Sequence, residues 1–398
     1  MNPARETRVC LVQQSASLDG SAFSGLLLAD GLRAAGHRTA VVFGRDGPML
    51  ERYRAAGHAA SVVPHLNWLR TRDPARFLKH LGGEIVAAQR MHATLRRLDP
   101  DVVYLNSVVS LAGAIAARRL GRPAIWHLRE LFEDVGGEMR MPALFRPLLP
   151  WILRHYSFRL AVISRTVGDN LLGRHAETAA LIANAGGAAY DAAPPDVEPR
   201  PRARFGLPPH GRIIGVPGTL RPMKGHPFLF AALPAVLARW PDVHVAVTGD
   251  GEPAYGETLR RQAHALQIED RVHFLGSVEE MPAFYRACDV VCVPSRSEGF
   301  GRTVIEAFAM GIPVVTSNAG GLAEIVRPGV DGLLVAYGDT AALAKALSAL
   351  LQSPGLRARL AQCGREHYLQ DYRTEPYQQR VCALVAGALA SARGSSGM

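Results

Sequence analysis

Two glutamates set among glycines are the residues of this 398-residue chain whose types and spacing best suit chemistry on a phosphorylated ligand. Between Pro294 and Gly321 the sequence reads PSRSEGFGRTVIEAFAMGIPVVTSNAGG, with Glu298 and Glu306 eight residues apart. Gly299 and Gly301 let the backbone bend and approach a ligand closely. A helix opening near Gly301 offers unpaired N–H groups to an anion. Glu306 then falls about a turn and a half into that helix, and Glu298 stays in the loop before it. A loop carboxylate and a helix carboxylate make a poor acid/base pair. They are better placed to accept hydrogen bonds from different hydroxyls of one ligand whose phosphates rest on the helix N-terminus, which is the group pattern of a nucleotide sugar. The plain alternative is an ordinary helix–strand unit with both glutamates solvated.

A second cluster, GTLRPMKGH from Gly218 to His226, follows a strand-like run. Gly218 permits a tight turn, and Arg221 and Lys224 can both reach the mouth of a cleft. Two cations there suit a diphosphate. Each charge-assisted hydrogen bond is worth ~1.5–3 kcal/mol, and more as a leaving group gains charge in the transition state. Taken alone, the pair reads equally as solvated residues at a helix start.

Together these residues resemble the signature of the family-4 retaining glycosyltransferases of the GT-B fold, strongly over Gly215 to Gly338 and weakly in the first half. The resemblance implies an α/β chain of two doubly wound Rossmann-like domains facing a central cleft. It implies transfer of a sugar from a nucleotide diphosphate sugar to an acceptor hydroxyl on a glycan, a lipid-linked molecule or a small molecule. It implies that neither cofactor nor metal is required. Arg221, Lys224 and the helix N-terminus from Gly301 to Thr303 would stabilise the diphosphate, and Glu306 would accept from the ribose hydroxyls. Glu298 and the Gly299/Phe300 backbone would hold the donor sugar. His127, in WHLRE at a strand end, would orient that sugar near its anomeric carbon, with Arg129 and Glu130 toward the acceptor. Gly249, in TGDG, is similar to the family's GDG element near the donor. Gly320–Gly321 and the NAGG turn from Asn184 to Gly187 are read as structural. Where the family carries a glycine-rich loop after strand one, this chain has SLDGS. Only Gly20 is retained for phosphate contact, and Asp19 stands in place of a glycine. No enzymic nucleophile is evident, so front-face displacement is implied. Two other readings stay open: a nucleotide-sugar epimerase of the same fold, and a non-catalytic subunit. The latter would be expected to have lost donor residues that are present here.

Short apolar runs alternate with amphipathic stretches, the pattern of parallel sheets covered by helices. Strands are predicted at 9–12, 39–43, 62–63, 102–105, 124–128 and 161–163, with a helix at 24–35. In the second half, strands are predicted at 213–216, 243–247, 272–274, 290–293, 314–316 and 333–335. Helices are expected there at 227–239, 255–266, 281–287, 303–310 and 340–351. The proline- and charge-rich run 191–204 reads as a linker with nothing to pack. That sets domains at 1–193 and 194–375, with a last helix within 376–398 that would cross back to the first domain. Asp99-Pro-Asp101 precedes its strand, the wrong end for a metal-held diphosphate.

The formal charge of +10 favours an anionic partner. With no Cys/His finger, RNP-like motif or continuous basic run, nucleic acid is not expected. Five cysteines without a CxxC pair fit a reduced, intracellular protein. No signal-peptide h-region and no long apolar run is seen, so the expected location is the cytoplasm. Two stretches, 67–80 and 139–160, mix Trp, Phe and Leu with Arg and Lys. Each reads either as internal packing or as peripheral contact with an anionic membrane, and three prolines argue against one long helix across the second.

Overall fold

The computed structural model describes residues 6–17, 20–65, 67–132, 139–192 and 201–395. Its elements run β1 (Arg8–Gln13), α1 (Gly20–Ala34), β2 (Arg38–Phe43), α2 (Pro48–Ala55), β3 (Ala59–Val62), α3 (Pro74–Leu98), β4 (Val102–Leu105), α4 (Leu111–Arg119) and β5 (Ala124–Leu128). Then come α5 (Leu148–Tyr156), β6 (Arg159–Val162), α6 (Arg165–Leu172), β7 (Ala180–Leu181), α7 (Ala188–Asp191), β8 (Arg212–Val216), α8 (His226–Arg239), β9 (Val243–Val247), α9 (Pro253–Ala265) and β10 (Val272–Phe274). The chain ends with α10 (Met281–Ala287), β11 (Val290–Val293), α11 (Arg302–Ala309), β12 (Val314–Ser317), α12 (Leu322–Ile325), β13 (Gly332–Val335), α13 (Thr340–Gln352), α14 (Pro354–Asp371) and α15 (Thr374–Ser395).

By internal contacts the chain forms two units, one of the chain up to Asn184 with Thr374 onward, the other Ala185–Arg373. The first holds a parallel sheet in the order β3-β2-β1-β4-β5-β6-β7. β4 and β5 are buried at every position, as expected of strands covered on both faces. α15 closes this unit against α1. The two helices approach so closely that a Cβ on Gly31 would lie 2.4 Å from Gln378 Cγ, and Gln378 Nε2 donates to the Leu27 carbonyl at 3.0 Å.

The second unit holds a parallel sheet in the order β10-β9-β8-β11-β12-β13. Its core joins Ile214, Val245, Cys292 and Val315 of the strands to Leu229, Leu233 and Leu347 of the helices. Side-chain caps fix several helix starts. Asp73 accepts from the Arg76 N–H before α3, Ser164 from Val167 before α6, and Ser353 from Leu356 before α14.

Of the expected linker, 193–200 lies outside the described residues, and its end does pack. Arg202 is buried in the second unit, paired with Asp289 at 2.8 Å and donating to the Gly211 carbonyl at 3.0 Å. The prolines of 139–160 divide that segment into a 3-10 turn at Ala143–Phe145 and the short α5, which opens directly after Pro147.

Candidate active site

In each sheet the order of strands reverses beside the first strand, and ligands of such sheets bind outside the carboxyl ends at that point. In the second unit the reversal lies at β8 and β11. The loop after β8 turns at Gly218 (φ +134°) and continues through Arg221 into a 3-10 turn, Pro222–Lys224. The loop after β11 is tied to it, the Arg296 N–H donating to the Met223 carbonyl at 2.8 Å. That tie brings Lys224 Nζ to 2.6 Å from Glu298 Oε2, with both side chains about one-fifth exposed. An ammonium has three donors, so this bond leaves others for a ligand.

Two glycines hold this arrangement by close approach. A Cβ on Gly249 would lie 2.3 Å from the Gly218 carbonyl oxygen, so the TGDG turn packs on the back of the Gly218 loop. Gly320 sits at φ +52° with a Cβ position 2.3 Å from the Glu298 carbonyl oxygen, and the next N–H, of Gly321, donates to that oxygen at 2.8 Å. The Gly-Gly turn therefore clamps the backbone of the Glu298–Phe300 loop. Phe300 turns its ring inward, edge-on to Tyr372 at 6.0 Å, which leaves only its backbone for a ligand, beside Gly299. Gly301 (φ +116°) caps α11, and Thr303 Oγ1 in the first turn is buried without a hydrogen-bond partner.

Glu306 is held more firmly than its sequence position suggested. Arg302 Nε donates to its Oε1 and the Tyr285 hydroxyl to its Oε2, each at 2.8 Å, and the residue is buried. Arg302 also donates to the Gly186 carbonyl at 3.2 Å. The Tyr190 hydroxyl also bonds this carboxylate; since a carboxylate can accept about four hydrogen bonds, room remains for a ribose hydroxyl. Burial comes first, then the Glu306 charge, in raising the Tyr285 and Tyr190 hydroxyls well above the usual range. Both stay protonated as donors. Arg302 and Tyr285 were not singled out from the sequence, although the i,i+4 spacing of Arg302 and Glu306 is a readable pair. Beyond the end of β10 lies a pocket of about 390 Å³ lined by Phe205, Leu275, Val278, Arg204 and Glu280.

In the first unit the sequence expectation for His127 needs correction. The residue lies within β5 and is fully buried, so in this structure it faces the Tyr104 and Arg129 side chains, at 2.9 and 3.2 Å from its Nδ1. A guanidinium only donates, which makes Nδ1 the acceptor and puts the ring proton on Nε2. Burial, then the Arg129 charge, hold His127 well below the usual imidazole range. It is a neutral ring that fixes Arg129. The Arg129 guanidinium is the hub, donating to Asn106 and Asn184 oxygens at 2.5 Å and to the Tyr377 hydroxyl at 3.1 Å. Asn106 Nδ2 in turn donates to the Ser21 carbonyl at 3.1 Å, next to Gly20, the first residue of α1. Glu130 accepts from Ser107 Oγ at 2.6 Å and the Val108 N–H at 3.1 Å, while burial raises its pKa. Asp19 lies outside the described residues. Asn184, read as a turn residue, is thus a ligand of the buried cation.

Asp99 and Asp101 bind Arg8 and Arg122 at the amino end of β4. Among the described residues no group of three or more His, Cys, Asp or Glu could hold a metal ion, and no helix is long and apolar enough to cross a membrane.

A model described as glycosyl transferases group 1 matches residues 198–367, and a glycosyl transferase 4-like domain model matches 20–185. The D-inositol 3-phosphate glycosyltransferase of Salinispora arenicola is 40% identical over 176 residues, 42% of this chain and 39% of that protein. A GDP-mannose-dependent alpha-(1-6)-phosphatidylinositol monomannoside mannosyltransferase of Mycolicibacterium smegmatis is 34% identical over 202 residues, 48% of this chain and 52% of that protein. The matches thus span about half or less of the relatives' length. HepE of Anabaena, crystallised with UDP, superposes with a TM-score of 0.79 at 23% identity over 96% of this chain and 100% of its own. A glycosyltransferase from Rickettsia africae does so at 0.81 and 17% identity, over 97% and 99%. At such identities the likeness is one of fold.

Proposed function

The chain belongs to the family-4 glycosyltransferases of the GT-B fold, and from that premise we propose that it transfers a sugar, with retention, from a nucleotide diphosphate sugar to an acceptor hydroxyl. The observation that carries the reading is the Lys224–Glu298 contact at the carboxyl ends of β8 and β11, beside the α11 N-terminus. One cation and one anion stand together where a diphosphate and a sugar hydroxyl must also stand together.

In this mechanism Lys224 and Arg221 donate to the diphosphate, and the first-turn N–H groups of α11 complete its cradle. Glu298 accepts from the donor sugar and Glu306 from the ribose. The pocket past β10 offers the base an apolar wall from Leu275 and Val278. The bond between the anomeric carbon and the diphosphate oxygen breaks as the acceptor oxygen bonds the same face. The acceptor proton passes to a departing phosphate oxygen, so no side-chain base is needed. His127 acts by holding Arg129. The protein cations supply the charge that a metal would otherwise bring, so activity should survive a chelator. The relatives' names suggest a hexose donor and a polyol or glycolipid acceptor. The work would then be done in the cytoplasm, at the inner face of a membrane.

The test is incubation with UDP-, GDP- and ADP-sugars, with and without candidate acceptors and EDTA, following nucleoside diphosphate release and the product anomer. Retained configuration and indifference to EDTA are expected. An inverted product, or a changed donor sugar formed without any acceptor, would overturn the reading.

A further inference from the structure

We propose that one face of the first unit, made by the start of α3, the Ala143–Phe145 turn and α5, docks on an anionic lipid bilayer. The inference rests on the membrane placement proposed above and names the surface that makes the contact. Two stretches far apart in sequence are drawn together here. Arg70 and Arg140 form an isolated parallel bridge, with the Arg140 N–H donating to the Leu69 carbonyl at 2.8 Å. The Phe77 and Phe145 rings stack at 5.0 Å.

The inner side of α5 is anchored by Leu149 and Leu153, both buried. Its outer side is apolar as well. Trp151 is 57% exposed and Leu144, in the turn before it, 78%, with Leu148 beside them and Leu78 exposed on α3. Ile85 and Val86, seven and eight residues after Leu78, continue the exposed row on one helix face. Trp151 does not fold back onto the core, because its ring stacks on His155 at 4.6 Å.

Charge selects the occupant. Residues 67–80 and 139–156 carry seven Arg and Lys against one acid, Asp73, and that carboxylate is occupied in capping α3. A protein partner would have to match both the apolar row and this density of cations. A bilayer does so without a matching fold, since Trp and Leu enter the boundary of headgroups and acyl chains while the cations meet lipid phosphates. α3 and α5 each lead into a strand of the parallel sheet, so their first turns lie at its carboxyl-end edge. Docking there brings the acceptor end of the unit to the lipid surface.

Co-sedimentation with vesicles of phosphatidylcholine, with and without phosphatidylglycerol, tests this. Binding is expected only with phosphatidylglycerol and should weaken with salt. It should fall by more than about tenfold in K79E/R154E, because each basic residue near such a surface contributes roughly fivefold, and also in W151E. Brominated acyl chains should quench the wild type far more than W151F, a readout that does not depend on the charge variants folding. Binding to anionic vesicles that none of these variants alters would overturn this face and leave the membrane reading standing. Equal sedimentation with both vesicle types would sink the membrane reading itself. A self-associating species dissolved by W151E, without vesicle binding, would assign the face to a second copy of the chain and overturn the proposal.

Discussion

Replacing Glu298 by Gln should separate two properties that usually fall together, tightening the free nucleoside diphosphate while slowing transfer. Lys224 Nζ lies 2.6 Å from Glu298 Oε2. A phosphate oxygen held by another hydrogen of the same ammonium would lie ~2.8 Å from that nitrogen, and hence ~4.4 Å from the carboxylate oxygen. Two unit negative charges at ~4.4 Å repel by about 1–2 kcal/mol at an effective dielectric constant of 40–80, suited to this partly exposed pair. E298Q removes that repulsion and keeps a side-chain oxygen that can accept from Lys224. UDP or GDP should therefore bind ~5–25-fold more tightly by calorimetry. Turnover should fall, because a neutral amide is a poorer acceptor for the donor-sugar hydroxyl. A nucleoside diphosphate that binds E298Q more weakly than wild type would refute the reasoning. It would mean that Glu298 mainly positions Lys224 and that its charge is not felt at the phosphates.

Lys224→Ala should lower turnover by ~10²–10³ if the ammonium stabilises the departing diphosphate; kcat unchanged at saturating donor would remove that role. Gly320→Ala places a Cβ against the Glu298 carbonyl at φ +52° and should destabilise the protein by ~1–3 kcal/mol in urea unfolding, with donor affinity falling alongside. Glu306→Ala removes the carboxylate that accepts from Arg302 Nε and the Tyr285 hydroxyl. It should cost ~1–3 kcal/mol of stability as well as donor affinity, and a variant as stable as wild type would count against the described packing. Acid should also destabilise the second unit. Burial, then the Lys224 charge, lowers the His226 pKa to about 4. The unfolded chain takes up this proton below about 6.5, so stability is full above that pH and falls as pH drops toward 4. The loss approaches ~3 kcal/mol, and urea midpoints measured down that range should fall less steeply in H226N.

The second unit was largely legible because its strands are β-branched apolar runs closed by glycine and proline, such as Val290–Val293 before Pro294 and Val314–Ser317 after Gly311 and Pro313. The donor loops were legible for a related reason. Close backbone approach at Gly249 and Gly320 demands glycine, so the constraint is written in residue type. Less was readable where polar side chains settle a matter among themselves. α14 was not anticipated because its polar residues are spread around the helix and no apolar stripe marks it. The inward turn of His127 and the Arg129 hub depend on partners from three separate stretches, Tyr104 with Asn106, Asn184, and Tyr377. No local spacing encodes such a meeting. For Glu306 the helix position was readable, but the hold of Arg302 and Tyr285 emerged only with the fold.

The central claim, that the loops after β8 and β11 bind a nucleotide diphosphate through Lys224, is tested most directly by calorimetric titration of wild type and K224M with UDP, GDP and ADP. Wild type should bind at least one of them, and K224M should bind it at least ~10-fold more weakly, in line with the loss of a charge-assisted hydrogen bond. Equal affinity in the two proteins, or no binding of any of the three to wild type, would contradict it.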